Sequence, residues 1–395
     1  MQHKAVVLGT NYYIGLSTIR CLGSEGIHTV AADYSDAGTY GATSKYCSEQ
    51  LILPHYKKDT EHFINTLIAY ATQQEHKPVL IPCHDSYLEV IDAHLDTLKQ
   101  HYLLPNMDQG LYTKVMDKEK LHQLAVEEGV RVPETVYLND ESFTEKVEQT
   151  IQFPCLVKPV DSPTFVSVFR QKLFKVYDME ELNDAIKKAK DAELEVIIQR
   201  IIPGADDHMH TFDAYLNHNS KITHWTTCQK FRQYPINFGA SVFTVQKHIP
   251  ELYDLGAHFL ENIGYKGFAE IEFKKDETTG EFYLIEINAR ITNFNHMLYD
   301  IGLNFPYIMY RELIGEPLEP KAVTQTTNRA FWYAQEDLLA IKEYIKTGQL
   351  SVKEVSKSFF RPKTGAVWNR HDPKPAWVYS RQLVRKALKR VTRRS

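Results

Sequence analysis

The chain has 395 residues, 43% hydrophobic and 24% charged, with 46 basic and 50 acidic side chains. That length exceeds one ordinary core and implies two or three domains, while the composition excludes an intrinsically disordered protein. The net charge of −4 is uneven: residues 381–395 carry seven basic groups and no acid, and subtracting those seven leaves −11 on the remainder. This is not the balance of a nucleic-acid binder, but the basic tail suits an anionic surface.

The start, MQHKAVVLGT, lacks a charged leader before an apolar core, so no signal peptide is expected. No apolar run approaches the roughly 20 residues of a membrane span. Five scattered cysteines (Cys21, Cys47, Cys83, Cys155 and Cys228) show no CxxC pairing. They read as small core residues in a reducing cytoplasm rather than as a disulfide framework or zinc site.

In chain order, KAVVLG reads as a strand ending at Gly9, IGLSTIRCLGSEG as a helix stopped by Gly26, and HTVAADYS and KPVLIPCHD as further strands. Such alternation predicts a parallel sheet with helices on both faces, collecting ligands at its carboxyl edge, where Gly9–Gly15 and Asp85 would lie. Gly9–Gly15 matches neither GxGxxG nor a P-loop, so its glycines are read as a tight strand-to-helix turn. That leaves a dinucleotide-linked oxidoreductase without its fingerprint.

From about Leu111 the pattern changes. A helix stopped at Gly129 precedes the strand FPCLVKPV, with Lys158 its single charge, and MEELNDAIKKAKDA reads as an amphipathic helix. LEVIIQRIIPG is a strand closed by Pro203 and Gly204. Several strands follow, then the helix PELYDLGAHFLENIG and a hairpin, GFAEIEFKKDETTGEFYLIEINAR. With the turn centred on Thr279, Glu272 faces Glu286 and Glu270 faces Asn288, roughly 5 Å apart at Cβ. Opposed carboxylates need a shared proton or a cation, and the oxygen donors Glu272, Glu286 and Asn288 suit Mg²⁺, with Arg290 beside them for phosphate charge. Lys230 and Arg232, in CQKFRQYP, are candidates for holding the carboxylate or acyl phosphate.

FPCLVKP, IIQRIIPG and IEFKKD…YLIEINAR together resemble the ATP-grasp superfamily, over about 180 residues from Asp117 to Arg290. The resemblance implies an α/β and α+β molecule. Its parts would be an N-terminal parallel-sheet domain (1–110), a lid subdomain with a lead-in helix (111–200), an antiparallel-sheet subdomain (201–325) and a C-terminal extension with the basic tail (326–395). It further implies ATP and Mg²⁺ as cofactors, with Mn²⁺ an alternative metal. Lys158 and Lys118 would reach the phosphates, Gln199, Arg200, Ile201 and Ile202 would read adenine through their backbone, and Asp206 or Asp207 would contact ribose. Glu272, Glu286 and Asn288 match the metal set, and Arg290 the phosphate-binding arginine. Where many relatives have a glycine-rich lid loop, this chain has DSPTFVSVFRQK, leaving phosphate cover to Ser162, Ser167, Lys172 or Lys175.

That lid, with IIQRIIPGADD, GYKGFAEIEFK and INAR, is similar to the D-aspartate ligase branch. The expectation is an ADP-forming ligase joining a small carboxylate, D-aspartate in that branch, to an amine on a peptidoglycan (cell-wall) precursor. The alternative is an ATP-grasp ligase or carboxylase acting on another amino acid, peptide or small carboxylate. The expected location is cytoplasmic, with the tail offering peripheral contact at the inner membrane face.

Overall fold

Ala5–Leu8 (β1) is a wholly buried apolar run, as a strand covered on both faces requires. It continues through α1 (Tyr13–Gly23), β2 (Thr29–Asp33), β3 (Glu49–Ile52), α2 (Thr60–Thr72), β4 (Val79–Pro82), α3 (Asp85–Ala93) and α4 (Leu95–Leu98). The strands form a parallel sheet in the order β3-β2-β1-β4. The computed structural model describes residues 3–34, 39–106, 108–138, 142–151, 153–160 and 162–392, without the side chains of 162–163 and 386–392. The turn after β1 explains its glycines. Gly9 has φ +87°, and a Cβ on Gly15 would lie 2.5 Å from the Gly9 carbonyl oxygen, so α1 starts as close to the strand as the backbone allows.

The sheet passes into α5 (Leu111–Met116) and α6 (Lys118–Glu127). Buried Asp92 fixes the junction, accepting from the Gly110 and Thr113 amides at 3.1 Å each. The lid comprises β5 (Thr135–Tyr137), α7 (Phe143–Thr150), β6 (Cys155–Pro159), α8 (Ser162–Phe169), β7 (Phe174–Val176), α9 (Met179–Asp191) and β8 (Val196–Arg200). Its strands run antiparallel in the order β5-β8-β6-β7. In α9, Leu182, Ala185, Ile186 and Ala189 recur at helical spacing and pack into the lid core.

The largest sheet has eight strands. In chain order they are β9 (Met209–Leu216), β10 (Ile222–Tyr234), β11 (Ala240–Gln246), then, after α10 (Pro250–Asn262), β12 (Gly267–Lys275) and β13 (Phe282–Asn288). After α11 (Asn295–Asp300) and α12 (Phe305–Leu313) come β14 (Lys321–Ala322) and β15 (Ala330–Trp332). Then α13 (Ala334–Lys346), α14 (Val352–Phe359), β16 (Lys363–Gly365) and α15 (Lys374–Thr392) complete the chain. The strand order is β13-β12-β9-β10-β11-β15-β16, with β14 on β10. The segment after residue 326 therefore supplies the last two strands at one side of the main sheet, β15 and the edge strand β16, rather than only trailing it.

One core joins the ends of the chain, packing Tyr13, Leu16 and Ile19 of α1 against Phe294, Met297, Phe331, Tyr333 and Tyr344. Beside it, buried Arg20 donates to the Asp372 carboxylate and carbonyl oxygens at 2.9 Å each, and Ser44 and the Lys45 amide donate to the same carboxylate at 2.6 and 3.0 Å.

Candidate active site

The candidate site is built first on the β12–β13 hairpin. Its turn is local chemistry: the Asp276 carboxylate accepts from the Thr278 and Thr279 amides at 2.8 and 3.3 Å, and Gly280 takes φ +75°. The strands pair Glu272 with Glu286 and Glu270 with Asn288, the register the turn signal predicts. A bulge between Glu272 and Phe273 changes the pairing only towards the turn. Glu270, Glu272, Glu286, Asn288 and Arg290 thus line one wall of a cleft of about 1090 Å³.

The charges in this wall are unequally matched. The Lys230 ammonium lies between Glu270, 3.6 Å away, and Glu272, closer still, and these carboxylates hold its pKa above the ordinary lysine value despite burial. Asn288 donates to Glu272 at 3.2 Å and accepts from Arg290 at 3.1 Å. Glu286 opens on the cleft, and repulsion from Glu272, reinforced by burial, raises its pKa. Among the described residues no three His, Cys, Asp or Glu side chains converge as a closed metal cage. Two carboxylates and an amide oxygen, one carboxylate still uncompensated, fit a hard divalent ion that takes its other ligands from phosphate and water.

The opposite wall comes from the lid. Lys158 projects from β6 into the cleft and donates to the Gln199 side chain at 2.6 Å. Burial first, then Lys118, lowers its pKa to about 8, while Glu286 and Glu272 pull the other way across the cleft. Lys118, at the start of α6, donates to the Pro159 carbonyl at 2.6 Å, which brings both lysines to one end of β6. Gln199 and Arg200 end β8, and with Ile201 and Ile202, which follow it, they line this wall as the chain leaves the lid. Arg200 is itself tied to Glu134 at 3.1 Å, and Lys274 braces the following bend by donating to the Gly204 and Ala205 carbonyls at 2.7 and 2.5 Å.

Arg290 is held from the N-terminal domain. Its Nε is 2.7 Å from one Asp85 oxygen and its Nη2 is 3.2 Å from the other. Asp85 opens α3 after the carboxyl end of β4, the edge where a parallel sheet presents its ligands. Burial opposes ionisation of Asp85, but Arg290 outweighs it and lowers the carboxyl's pKa.

Two expectations are corrected. Arg232 does not line the cleft: register shifts on both sides of it in β10 break the alternation, and it forms a buried two-point pair with Asp337 at 2.6 and 2.8 Å. Lys230, before the shift, and Gln233, after it, line the cleft instead. Asp207 pairs with His208 at 2.9 Å and stands off the lining, whereas its neighbour Asp206 reaches the cleft, held by the Asn237 amide at 2.8 Å and by Tyr344. Ser162 begins α8, but its side chain lies outside the described residues, and Ser167 turns back to the Thr164 carbonyl at 2.7 Å. Lys172 and Lys175 line the cleft beside α8. Tyr12 and Ser241 also line it and were not singled out from the sequence; only the position of Tyr12, just past β1, pointed there.

The chain's similarities agree with this arrangement. Residues 124–314 match the family model described as D-ala D-ala ligase C-terminus. A D-aspartate ligase of Enterococcus faecium is 27% identical over 311 residues, covering 72% of this chain and 73% of that protein. The chain has the ATP-grasp fold, and these relatives support an ADP-forming carboxylate–amine ligase. A D-alanine–D-alanine ligase of Pelagibacter ubique is 23% identical over 266 residues, covering 63% of this chain and 82% of its own. Among solved structures, the L-amino acid ligase of Bacillus licheniformis superposes with a TM-score of 0.59 at 15% identity, covering 81% of this chain and 76% of its own. The biotin carboxylase domain of Hydrogenobacter thermophilus 2-oxoglutarate carboxylase, crystallised with MgADP and bicarbonate, superposes with a TM-score of 0.66 at 17% identity, covering 84% and 74%. These structural likenesses carry the ATP-grasp fold. No helix among the described residues is long and apolar enough to cross a membrane.

Proposed function

We propose that this ADP-forming ligase activates the β-carboxylate of D-aspartate as an acyl phosphate and joins it to an amine of a peptidoglycan precursor. The observation that carries this reading is the opposition of Lys158 and Lys118 to Glu272, Glu286, Asn288 and Arg290 across one cleft. The substrate assignment draws on similarity to the Enterococcus faecium D-aspartate ligase.

In this reading the backbone of Gln199–Ile202 takes adenine, and Lys158 and Lys118 hold phosphate oxygens. Glu272, Glu286 and Asn288 would hold Mg²⁺, which when bound supplies positive charge against the phosphates. Arg290, oriented by Asp85, steadies charge on the phosphoryl group as it passes to the substrate carboxylate. Lys230 fixes the Glu270–Glu272 side of the wall, and α8 with Lys172 limits water at the acyl phosphate. The acceptor amine then attacks the acyl carbon, and phosphate leaves. The test is ADP release across D- and L-amino acids with ATP and Mg²⁺, with and without a cell-wall pentapeptide. Release is expected with D-aspartate; selective release with another carboxylate would replace the substrate.

The tail carries a second assignment, contact with an anionic membrane face. Arg381 and Arg385 lie on α15 with Trp377 and Val384 exposed; the side chains of 386–395 lie outside the described residues. Co-sedimentation with phosphatidylglycerol vesicles should fall with salt and with removal of residues 381–395. Equal binding without them would end the assignment.

A further inference from the structure

Where the chain leaves the lid, Asp206 follows the bend at Gly204 and Ala205 and lines the cleft. It is only 4% exposed, and three donors engage its carboxylate: the Gln233 side chain at 3.2 Å, the Asn237 amide at 2.8 Å and the Tyr344 hydroxyl. The same hydroxyl accepts from the Gln233 amide at 3.0 Å. An acid held this way braces the turn between β10 and β11 and has little acceptor capacity left for a ligand.

Tyr344 lies in the last turn of α13, so its contact with Asp206 docks the end of that helix beside the cleft. The helix stops there for a local reason. Gly348 takes φ +71°, and the Gly348 and Gln349 amides turn back to the Ile345 and Tyr344 carbonyls at 3.1 and 2.9 Å. This is a Schellman stop, in which a glycine in the left-handed region lets the chain close the last carbonyls and leave the helix axis. The residue it delivers, Gln349, lines the cleft. The Gln349 side chain is exposed and makes no hydrogen bond with any described residue. It also lies beyond residues 124–314, so the family likeness gives it no role.

In the reading above, the backbone of Gln199–Ile202 takes adenine and the lysines take phosphate, and the sugar between them passes the Asp206 bend. A ribose presents two neighbouring hydroxyls, each both donor and acceptor. A carboxamide has one acceptor oxygen and two donor hydrogens, and meets them without adding charge.

We propose that Gln349 binds the ribose hydroxyls of ATP, so that the C-terminal segment completes the nucleotide site begun by the lid and the main sheet. The inference rests on the ATP-dependent reading above and deepens it. Tyr344 and Asp206 are positioning residues: they hold the end of α13 against the cleft, and the glycine stop aims Gln349.

The test is calorimetric titration of ATP, 2′-deoxy-ATP and 3′-deoxy-ATP, each with Mg²⁺, into the full-length wild type and Gln349→Ala. Binding needs no amino acid, so the readout is independent of which carboxylate is ligated. The wild type is expected to bind at least one deoxynucleotide about fivefold more weakly than ATP, the worth of one hydrogen bond. Gln349→Ala, with an unchanged circular dichroism spectrum, should weaken ATP binding about fivefold and binding of that deoxynucleotide by less than about twofold. The analogue that escapes the loss identifies the hydroxyl that Gln349 meets. Equal ATP affinity in both proteins, or an equal loss for all three nucleotides, would overturn the inference alone. A wild type that binds none of the three would instead overturn the ATP-dependent reading.

Discussion

Lys158 is the residue whose environment makes the sharpest solution prediction. Its pKa falls to about 8 because burial and Lys118 both disfavour the ammonium. Triphosphate favours the charged form, so binding must raise that pKa and take up a proton wherever free Lys158 is partly neutral. ATP affinity is therefore expected to weaken as pH rises through about 8. Calorimetry in buffers of different ionisation enthalpy should show proton uptake on binding between about pH 7.5 and 9. Affinity flat across that range would place Lys158 away from the phosphates. Asp85 is a positioning residue for Arg290, which it grips at two points. Asp85→Asn keeps the shape but drops the charge, and should lower kcat about tenfold or more with a smaller effect on KM for ATP. An unchanged kcat would make the pair merely structural.

At the scale of elements, the β12–β13 hairpin decides the metal assignment. Its register was legible because alternation and an Asx-type turn are local: DETTG fixes the reversal, and Glu272 must then meet Glu286. Arg232 was misplaced for the opposite reason. Its i, i+2 relation to Lys230 implies a shared face, but the bulges in β10 depend on pairing with β11, which the sequence of β10 does not contain. The same limit hid β15 and β16, whose three residues each are too few for any periodic signal. The lid stretch DSPTFVSVFRQK was read as a loop variant; its residues Ser162–Phe169 form α8, so beside Lys172 and Lys175 the cleft is flanked by a helix rather than by a glycine-rich loop. For the hairpin, Glu286→Gln should leave the circular dichroism spectrum unchanged and lower carboxylate-dependent ADP release about 10²-fold or more. Full release would remove Glu286 from the site.

Across the whole molecule, the N-terminal sheet and the C-terminal segment act as one body. Asp372 satisfies Arg20, Ser44 and the Lys45 amide at a site closed to water. Asp372→Ala would leave the Arg20 guanidinium buried without its charge partner, at a cost of about 3–5 kcal/mol. Urea unfolding should show a lower midpoint, with ATP-dependent activity retained below it; an unchanged midpoint would mean the pair contributes nothing. The sequence made the parallel sheet, the lid helix α9 and the hairpin readable, since each follows from local periodicity. It could not display the return of residues 330–379 onto α1, nor the packing of Tyr13 on Tyr333 and Tyr40 on Tyr379, because those contacts join segments more than 300 residues apart in the chain.

In the proposed reading, acidic side chains from paired strands and lysines from the lid jointly hold a metal–triphosphate. The decisive experiment is calorimetric titration of ATP into the wild type and a Glu272→Gln/Glu286→Gln double variant, with and without Mg²⁺. The expected result is tight, Mg²⁺-dependent binding to the wild type and a loss of the Mg²⁺ dependence in a double variant that remains folded. Equal affinity and equal Mg²⁺ dependence in both proteins would contradict it.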